Sequence, residues 1–385
     1  MELYIHLPFC KVKCRYCDFV SFPDQEPFME RYVQLLLREA EARRKEVGEP
    51  LHTLYVGGGT PSLLPPALIR TLFNRLRSVF SFEEIREFTL EANPGTLSMP
   101  WLNAVRESGA NRLSMGMQTS QEHLLKTLGR IHTMAQVRES VRMAREAGFR
   151  NLNLDLIFGI PGQTVSDWSE ALEEALCLAP EHLSCYGLIP EEGTPLMRDL
   201  ESGALTLPDE ADEREMYDLT LRLLDAHGYE HYEISNFAKP GCACAHNIGY
   251  WRQTPYLGLG VAAASMNAWM TGASSCSDAQ YFRRTNPDTL EAYEACVLGQ
   301  LLPNIEPISP ADSRFETLML SLRMMEGVSE AHFEFLHGVS LDSCYGEKLR
   351  SLASRGLLTY ENAAWRLTRR GMDIQNAILV ELMND

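Results

Sequence analysis

The sequence predicts an α/β fold of parallel strands joined by helical crossovers, followed by a smaller module with a different rhythm. Two patterns carry this reading. Short apolar, β-rich runs alternate with longer stretches of helical periodicity through residue 227, and after about residue 305 helical segments lead instead into a hairpin. A parallel neighbour can be reached only by a long crossover, and a helix fills one, so the alternation means parallel pairing.

The strand candidates are Leu3–Leu7, Thr53–Val56, Glu87–Glu91, Arg112–Met117, Leu152–Phe158 and His182–Leu188. Helical patterns lie at Phe28–Val47, Pro65–Phe80, Pro100–Ser108, Met134–Ala147, Val165–Leu178 and Glu210–His227. Such units build either a doubly wound sheet or a partial barrel, and periodicity leaves both open. The apolar stretch Tyr256–Ala273 is broken by glycines and by Ser265, Asn267 and Trp269, so it reads as buried core and not as a membrane span. Further on, helices at Ser313–Met325 and Tyr345–Ser354 precede a strand at Gly356–Tyr360, a turn at Asn362-Ala363, a strand at Trp365–Thr368 and a last helix from Gly371. This resembles a winged-helix module. The expected division is a core at 1–270, a connecting segment at 271–305 and the C-terminal module at 306–385.

Charge and cysteine usage narrow the chemistry. A formal net charge of −17 repels a phosphate backbone, and acidic residues outnumber basic ones from Glu306 to Asp385 as well. Nucleic-acid binding is therefore not expected, and a DNA-binding regulator with a redox cluster is disfavoured. The start of the chain shows no basic segment followed by a long apolar one, which fits a cytoplasmic protein. Three cysteines, Cys10, Cys14 and Cys17, fall within eight residues, and that clustering points to metal. Zinc sites usually recruit four protein ligands and ferredoxin cubanes four cysteines. Three cysteines can hold three irons of a [4Fe-4S] cubane and leave the fourth open to a bidentate ligand. Cys177, Cys185, Cys276, Cys296 and Cys344 sit in apolar surroundings and read as core residues, while Cys242 and Cys244 read as ordinary cysteines.

The strand ends converge on the same chemistry. Cys10, Gly57–Gly59, Glu91, Gln118 and Asp155 all fall at or just after the C-terminal end of a strand, where parallel α/β folds carry their sites. The glycines are read as leaving room for a ligand to approach the backbone. Asp155 lies inside an apolar strand, and a buried carboxylate is costly unless paired or coordinating.

With these residues in view, the CxxxCxYC segment after the first strand resembles the radical-SAM superfamily. Within it, the chain is similar to the oxygen-independent coproporphyrinogen III oxidase group, and more closely to its heme-chaperone branch, HemW. The resemblance covers nearly the whole chain and implies a partial (β/α)6 radical-SAM barrel with a small C-terminal winged-helix-like domain. It implies a [4Fe-4S] cluster on Cys10, Cys14 and Cys17, and S-adenosylmethionine bound by Tyr4, Tyr16, Gly58, Gly59, Thr60, Glu91, Gln118, Arg130 and Asp155.

Two departures from the oxidase favour the chaperone branch. Phe19 stands where the oxidase has a further cysteine, and the chain reaches Cys10 without the oxidase's N-terminal extension. The branch's HNxxYW motif is present as His246-Asn247-Ile248-Gly249-Tyr250-Trp251. Imidazole is a common heme-iron ligand, so the resemblance implies heme at His246. The expected function is a cytosolic heme chaperone that passes heme to an acceptor hemoprotein, soluble or membrane-associated, with a reduced flavodoxin-type electron donor. The enzymatic alternative is a radical-SAM catalyst such as the oxidase, which abstracts hydrogen with a radical made from the cofactor.

Overall fold

A computed structural model describes residues 1–267 and 279–383. Six parallel strands, β1 (Glu2–Leu7), β2 (Thr53–Gly58), β3 (Glu87–Ala92), β4 (Arg112–Gln118), β5 (Asn151–Phe158) and β6 (His182–Gly187), lie side by side in chain order. That order decides between the two architectures. A doubly wound sheet reverses its strand order so that helices fall on both faces. Here each crossover steps to the next neighbour, so right-handed connections put every helix on one face, as in a barrel.

Side-chain alternation follows from this. Leu3, Ile5 and Leu7 of β1 are buried in the apolar layer beneath the helices, together with Leu54, Val56, Leu90 and Leu154. The opposite face, the barrel interior, carries a polar column on every strand. It includes Glu2, Tyr4 and His6 on β1, Glu87 and Glu91 on β3, Arg112 and Ser114 on β4, and Asn153 and Asp155 on β5. The helices bury matching stripes. Pro66–Val79 turns Ile69, Leu72, Phe73 and Leu76 inward, at the spacing of one helical face. Each such side chain contributes about 1.5–3 kcal/mol by leaving water, and Phe73→Ala would cost about 3–5 kcal/mol.

The sheet extends beyond the barrel units. On the far side of β1, strand Tyr256–Leu259 pairs in parallel, then Ala264–Asn267, Tyr281–Thr285 and Asn304–Ile308 follow antiparallel. Strands Asn236–Ala238 and Glu230–Glu233 close the other edge, giving 12 strands among the described residues. The stretch read as apolar core thus forms two strands as far as Asn267, its remainder lying outside the described residues. The sheet runs on to Ile308, through the segment expected to be a connector.

The C-terminal module packs helices Pro310–Ser321, Leu341–Ser354 and Gln375–Met383 around Leu318, Phe333, Leu349 and Ile378. Its hairpin, Leu358–Glu361 with Ala364–Leu367, turns at Asn362 and Ala363, whose φ values of 51° and 58° are those of a two-residue hairpin loop. Two expectations fail here and in the barrel. Cys177 and Cys344 are exposed, since each falls on the outer face of its helix, whereas Cys185 on β6 is core and Cys296 is half-buried. Cys276 lies outside the described residues. No helix among the described residues is long and apolar enough to cross a membrane.

Candidate functional site

The three cysteines lie on the loop that follows β1, and that loop is tied down at both ends and in the middle. Phe9–Cys10 pairs in parallel with Phe22–Pro23. The Arg15 N–H donates to the Leu128 carbonyl at 3.0 Å, and the Leu196 N–H donates to the Arg15 carbonyl at 2.9 Å. His6 reaches up from β1 and donates through Nε2 to the Val20 carbonyl at 2.7 Å. Its Nδ1 is then the acceptor for the Tyr4 hydroxyl at 3.0 Å. A buried imidazole thus fastens the end of the cysteine loop to the barrel wall.

The loop roofs a cavity of about 360 Å³ at the C-terminal ends of the strands. Cys10, Cys14, Cys17, Tyr16, Gly58, Gly59, Glu91, Gln118, Arg130 and Asp155 all line it, as do Asn93 and Ser114, which the sequence reading missed. Among the described residues no three His, Cys, Asp or Glu side chains converge closely enough for a single metal ion. A cubane is wider than an ion and separates its thiolates, so three half-buried cysteines around one cavity fit a cluster better than a mononuclear site. Arg130 donates to Cys14 Sγ at 3.6 Å, to Asn93 Oδ1 at 2.7 Å and to the Gly116 carbonyl at 2.9 Å. Burial raises the thiols of Cys10 and Cys17, the latter to about 11, so metal loading must displace their protons.

Two carboxyl groups face the same space. Glu91 accepts from the Tyr55 hydroxyl at 2.8 Å and from the Gly58 N–H at 3.1 Å. Burial lifts it to about 7. Asp155 accepts from Asn153 Nδ2 at 2.8 Å and Ser114 Oγ at 3.3 Å, and burial raises it too. Gln118 sits at φ 64°, beside a register shift between β4 and β5, which turns the end of β4 into the cavity. Acidic walls with acceptor capacity to spare suit a ligand carrying positive charge and hydroxyl groups.

The glycines that line the cavity also answer to a packing constraint. A Cβ on Gly58 would overlap the His6 imidazole, and one on Gly59 would sit 2.7 Å from the Phe9 carbonyl oxygen. Gly58 also has φ 105°, which a β-branched residue resists. Their first role is to let β2 pass under the cysteine loop, and the cavity wall follows from that. Thr60 lies behind this wall, 3.6 Å from Cys10 Sγ. Tyr4 does not line the cavity; it reaches it through His6 and through stacking on Tyr55 at 6.3 Å.

A sequence model described as "Radical SAM superfamily" matches residues 4–175, and one described as "HemN C-terminal domain" matches 308–374. The heme chaperone HemW of Bacillus subtilis is 35% identical over 379 residues, covering 97% of each chain. That of Escherichia coli is 33% identical, covering 98% of this chain and 97% of its own. The chain belongs to the HemW branch of the radical-SAM superfamily. The solved structure of coproporphyrinogen III oxidase (HemN) from Escherichia coli shares its fold, with a TM-score of 0.83 at 23% identity over 100% of this chain and 90% of that one.

The HemW motif segment lies at the opposite end of the barrel from the cysteines. Helix Ala245–Trp251 plugs the floor, and its first N–H groups, on Ala245 and His246, donate to the Glu87 carboxylate at 2.9 and 3.1 Å. The Cys244 thiol donates to the same carboxylate at 3.4 Å. His246 is buried, with Nδ1 bonded to Thr53 Oγ1 at 2.7 Å and Nε2 to the Tyr250 hydroxyl at 3.1 Å. Both ring nitrogens are spent, and the structure does not bring His246 to the cysteine cavity. Burial and the charge of Arg112 hold the imidazole at about 3, so it is neutral.

Proposed function

We propose that this chain is a heme chaperone that binds heme, carries a [4Fe-4S] cluster on Cys10, Cys14 and Cys17 with S-adenosylmethionine beside it, and gives heme to an acceptor hemoprotein. The observation that carries the reading is the full-length similarity to HemW chaperones, in a chain whose three cysteines share one cavity with Glu91 and Asp155. When bound, the cluster supplies an open iron and a low-potential electron. The chain's own residues do the rest. Arg130 holds Cys14 and its neighbours in place, Glu91 and Asp155 offer acceptors to the cofactor's cationic and hydroxyl groups, and Tyr16 gives the cavity an aromatic wall.

Phe19 supports the chaperone over the oxidase. It lines the cavity mouth and is 69% exposed, in the place where the oxidase resemblance expects a further cysteine. An axial role for His246 would cost it the bond to Thr53 or to Tyr250. The reading is tested by loading the reconstituted protein with hemin and mixing it with an apo-hemoprotein. The acceptor's Soret band should grow as the donor's falls; no hemin uptake, or uptake without transfer, would refute it.

A further inference from the structure

Heme needs a place to sit, and neither the cysteine cavity nor the cleft beside β6 suits it. The cavity of about 360 Å³, with Cys10, Cys14 and Cys17 in its wall, is the space that the cluster and its cofactor would fill. The large cleft of about 750 Å³ beside β6 carries Glu210, Glu213 and Asp373 together with Arg214, Arg323 and Arg369, and these arginines are already paired with Asp373, Glu233 and Asp218. A third cavity, of about 550 Å³, differs from both in chemistry. Its size lies within the roughly 300–1,000 Å³ of small-molecule sites.

This cavity opens beside β1, between helix Ala245–Trp251, the extension strands Tyr256–Leu259 to Tyr281–Thr285, and helix Pro310–Ser321. Its walls are the rings of Tyr250, Trp251 and Tyr256 and the thioethers of Met266 and Met319. Flat rings and polarisable sulfurs pack well on the face of a conjugated macrocycle. The polar groups point to a carboxylate-bearing ligand. Arg283 stands at the wall, a third of its side chain exposed, bonded to Glu316 at 2.8 Å. Gln253, 8% exposed, and Trp251 also line the cavity, and the Gln253 Nε2 and Trp251 Nε1 donors are buried with no hydrogen-bond partner. Buried donors without acceptors are costly, and a ligand that brings acceptors relieves the cost.

We infer that this side cavity is the tetrapyrrole site: its aromatic and thioether walls take the macrocycle, and Arg283, Gln253 and Trp251 take the propionates. The inference rests on the chaperone reading and locates its cargo. It gives the motif's Tyr250 and Trp251 the contact role and leaves His246 as the residue that holds Tyr250 from behind. It also puts the cargo one tyrosine pair from the cysteine cavity, because Tyr4 lines the side cavity and stacks on Tyr55, which bonds Glu91.

The test titrates anaerobically reconstituted full-length protein with hemin, read by its Soret band, and with metal-free protoporphyrin IX, read by fluorescence. Both should bind and compete, since walls and carboxylate donors recognise them alike. Met319→Trp should fill the cavity and weaken both by about tenfold or more, and Arg283→Gln should weaken both by about three- to tenfold. Hemin should also slow amide exchange in helices Ala245–Trp251 and Pro310–Ser321, a readout that needs no variant. The S-adenosylmethionine effect on the cluster's EPR spectrum should persist in both variants, whose residues lie outside the cysteine cavity. Unchanged hemin affinity in both folded variants, with no exchange protection, would overturn the side cavity and leave the chaperone reading standing. Failure of the wild type to bind hemin would overturn the chaperone reading itself.

Discussion

The rim and the floor of this barrel are built from the same strands and the same kinds of residue, yet they hold opposite states. On β3, Glu91 stands at the rim and Glu87 at the floor. Glu87 takes two backbone N–H groups and a thiol from the plugging helix. Glu91 takes one hydroxyl and one N–H and still faces a cavity. On β1, His6 ties down the cysteine loop from the rim, while Glu2 at the floor packs beneath His246. Polar groups at the floor are consumed by structure, whereas those at the rim retain capacity for a ligand. A polar residue inside a barrel therefore signals function only with its height along the strand known.

The largest difference should come from removing the rim's three proposed cluster ligands. Replacing Cys10, Cys14 and Cys17 together by Ala should remove all of the roughly four irons per chain that a cubane brings, as read by iron and sulfide analysis, while the apo fold persists. A normal cubane in that variant would end the assignment. At the floor the loss should be of stability instead. Glu87→Ala strands two buried helix N–H groups and the Cys244 thiol, and should cost about 2–5 kcal/mol in urea unfolding. A cost below about 1 kcal/mol would mean the floor is not the sealed network described.

Glu91→Gln separates the regions through pH. Burial holds Glu91 near 7, above its ordinary 4.5, so between those values the native state keeps a proton that the unfolded chain has lost. The apo protein should then lose stability as pH rises from about 4.5 to 7, by about 1–3 kcal/mol from this group, and Glu91→Gln should remove that slope. The same change, like Asp155→Asn, should weaken S-adenosylmethionine by about tenfold. Equal affinity in both, measured by EPR titration of the reduced cluster, would move the cofactor elsewhere.

Much of the rim was legible and most of the floor was not. The cysteine spacing and the polar residues at strand ends are local signals, and the barrel strands carry an apolar alternation that sets their limits within a residue or two. Tyr55, which positions Glu91, reads in sequence as one more β-forming residue of an apolar strand. The antiparallel extension reads as a glycine-broken apolar run because its pairing depends on partners far along the chain. His246 reads as a ligand because its two partners come from β2 and from its own helix turn, and only the tertiary fold brings Thr53 to it. Gly58 shows the same limit, since the space it leaves belongs first to His6.

The smallest effect concerns that histidine. His246→Gln should cost about 1–2 kcal/mol through its two hydrogen bonds and leave the hemin Soret band in place. Because the native imidazole is held at about 3, unfolding takes up a proton once pH falls below the unfolded value of 6.5. The wild type should lose stability through that window, and the variant should lose about one proton's worth less. A lost or shifted Soret band would restore an axial role.

The central claim is that this barrel carries heme instead of transforming a porphyrinogen. It is tested most directly on one anaerobically reconstituted sample, given coproporphyrinogen III with S-adenosylmethionine and a reductant, and separately hemin with an apo-hemoprotein. The account predicts heme appearing in the acceptor and coproporphyrinogen III recovered intact. Steady decarboxylation of coproporphyrinogen III, with no heme reaching the acceptor, would contradict it.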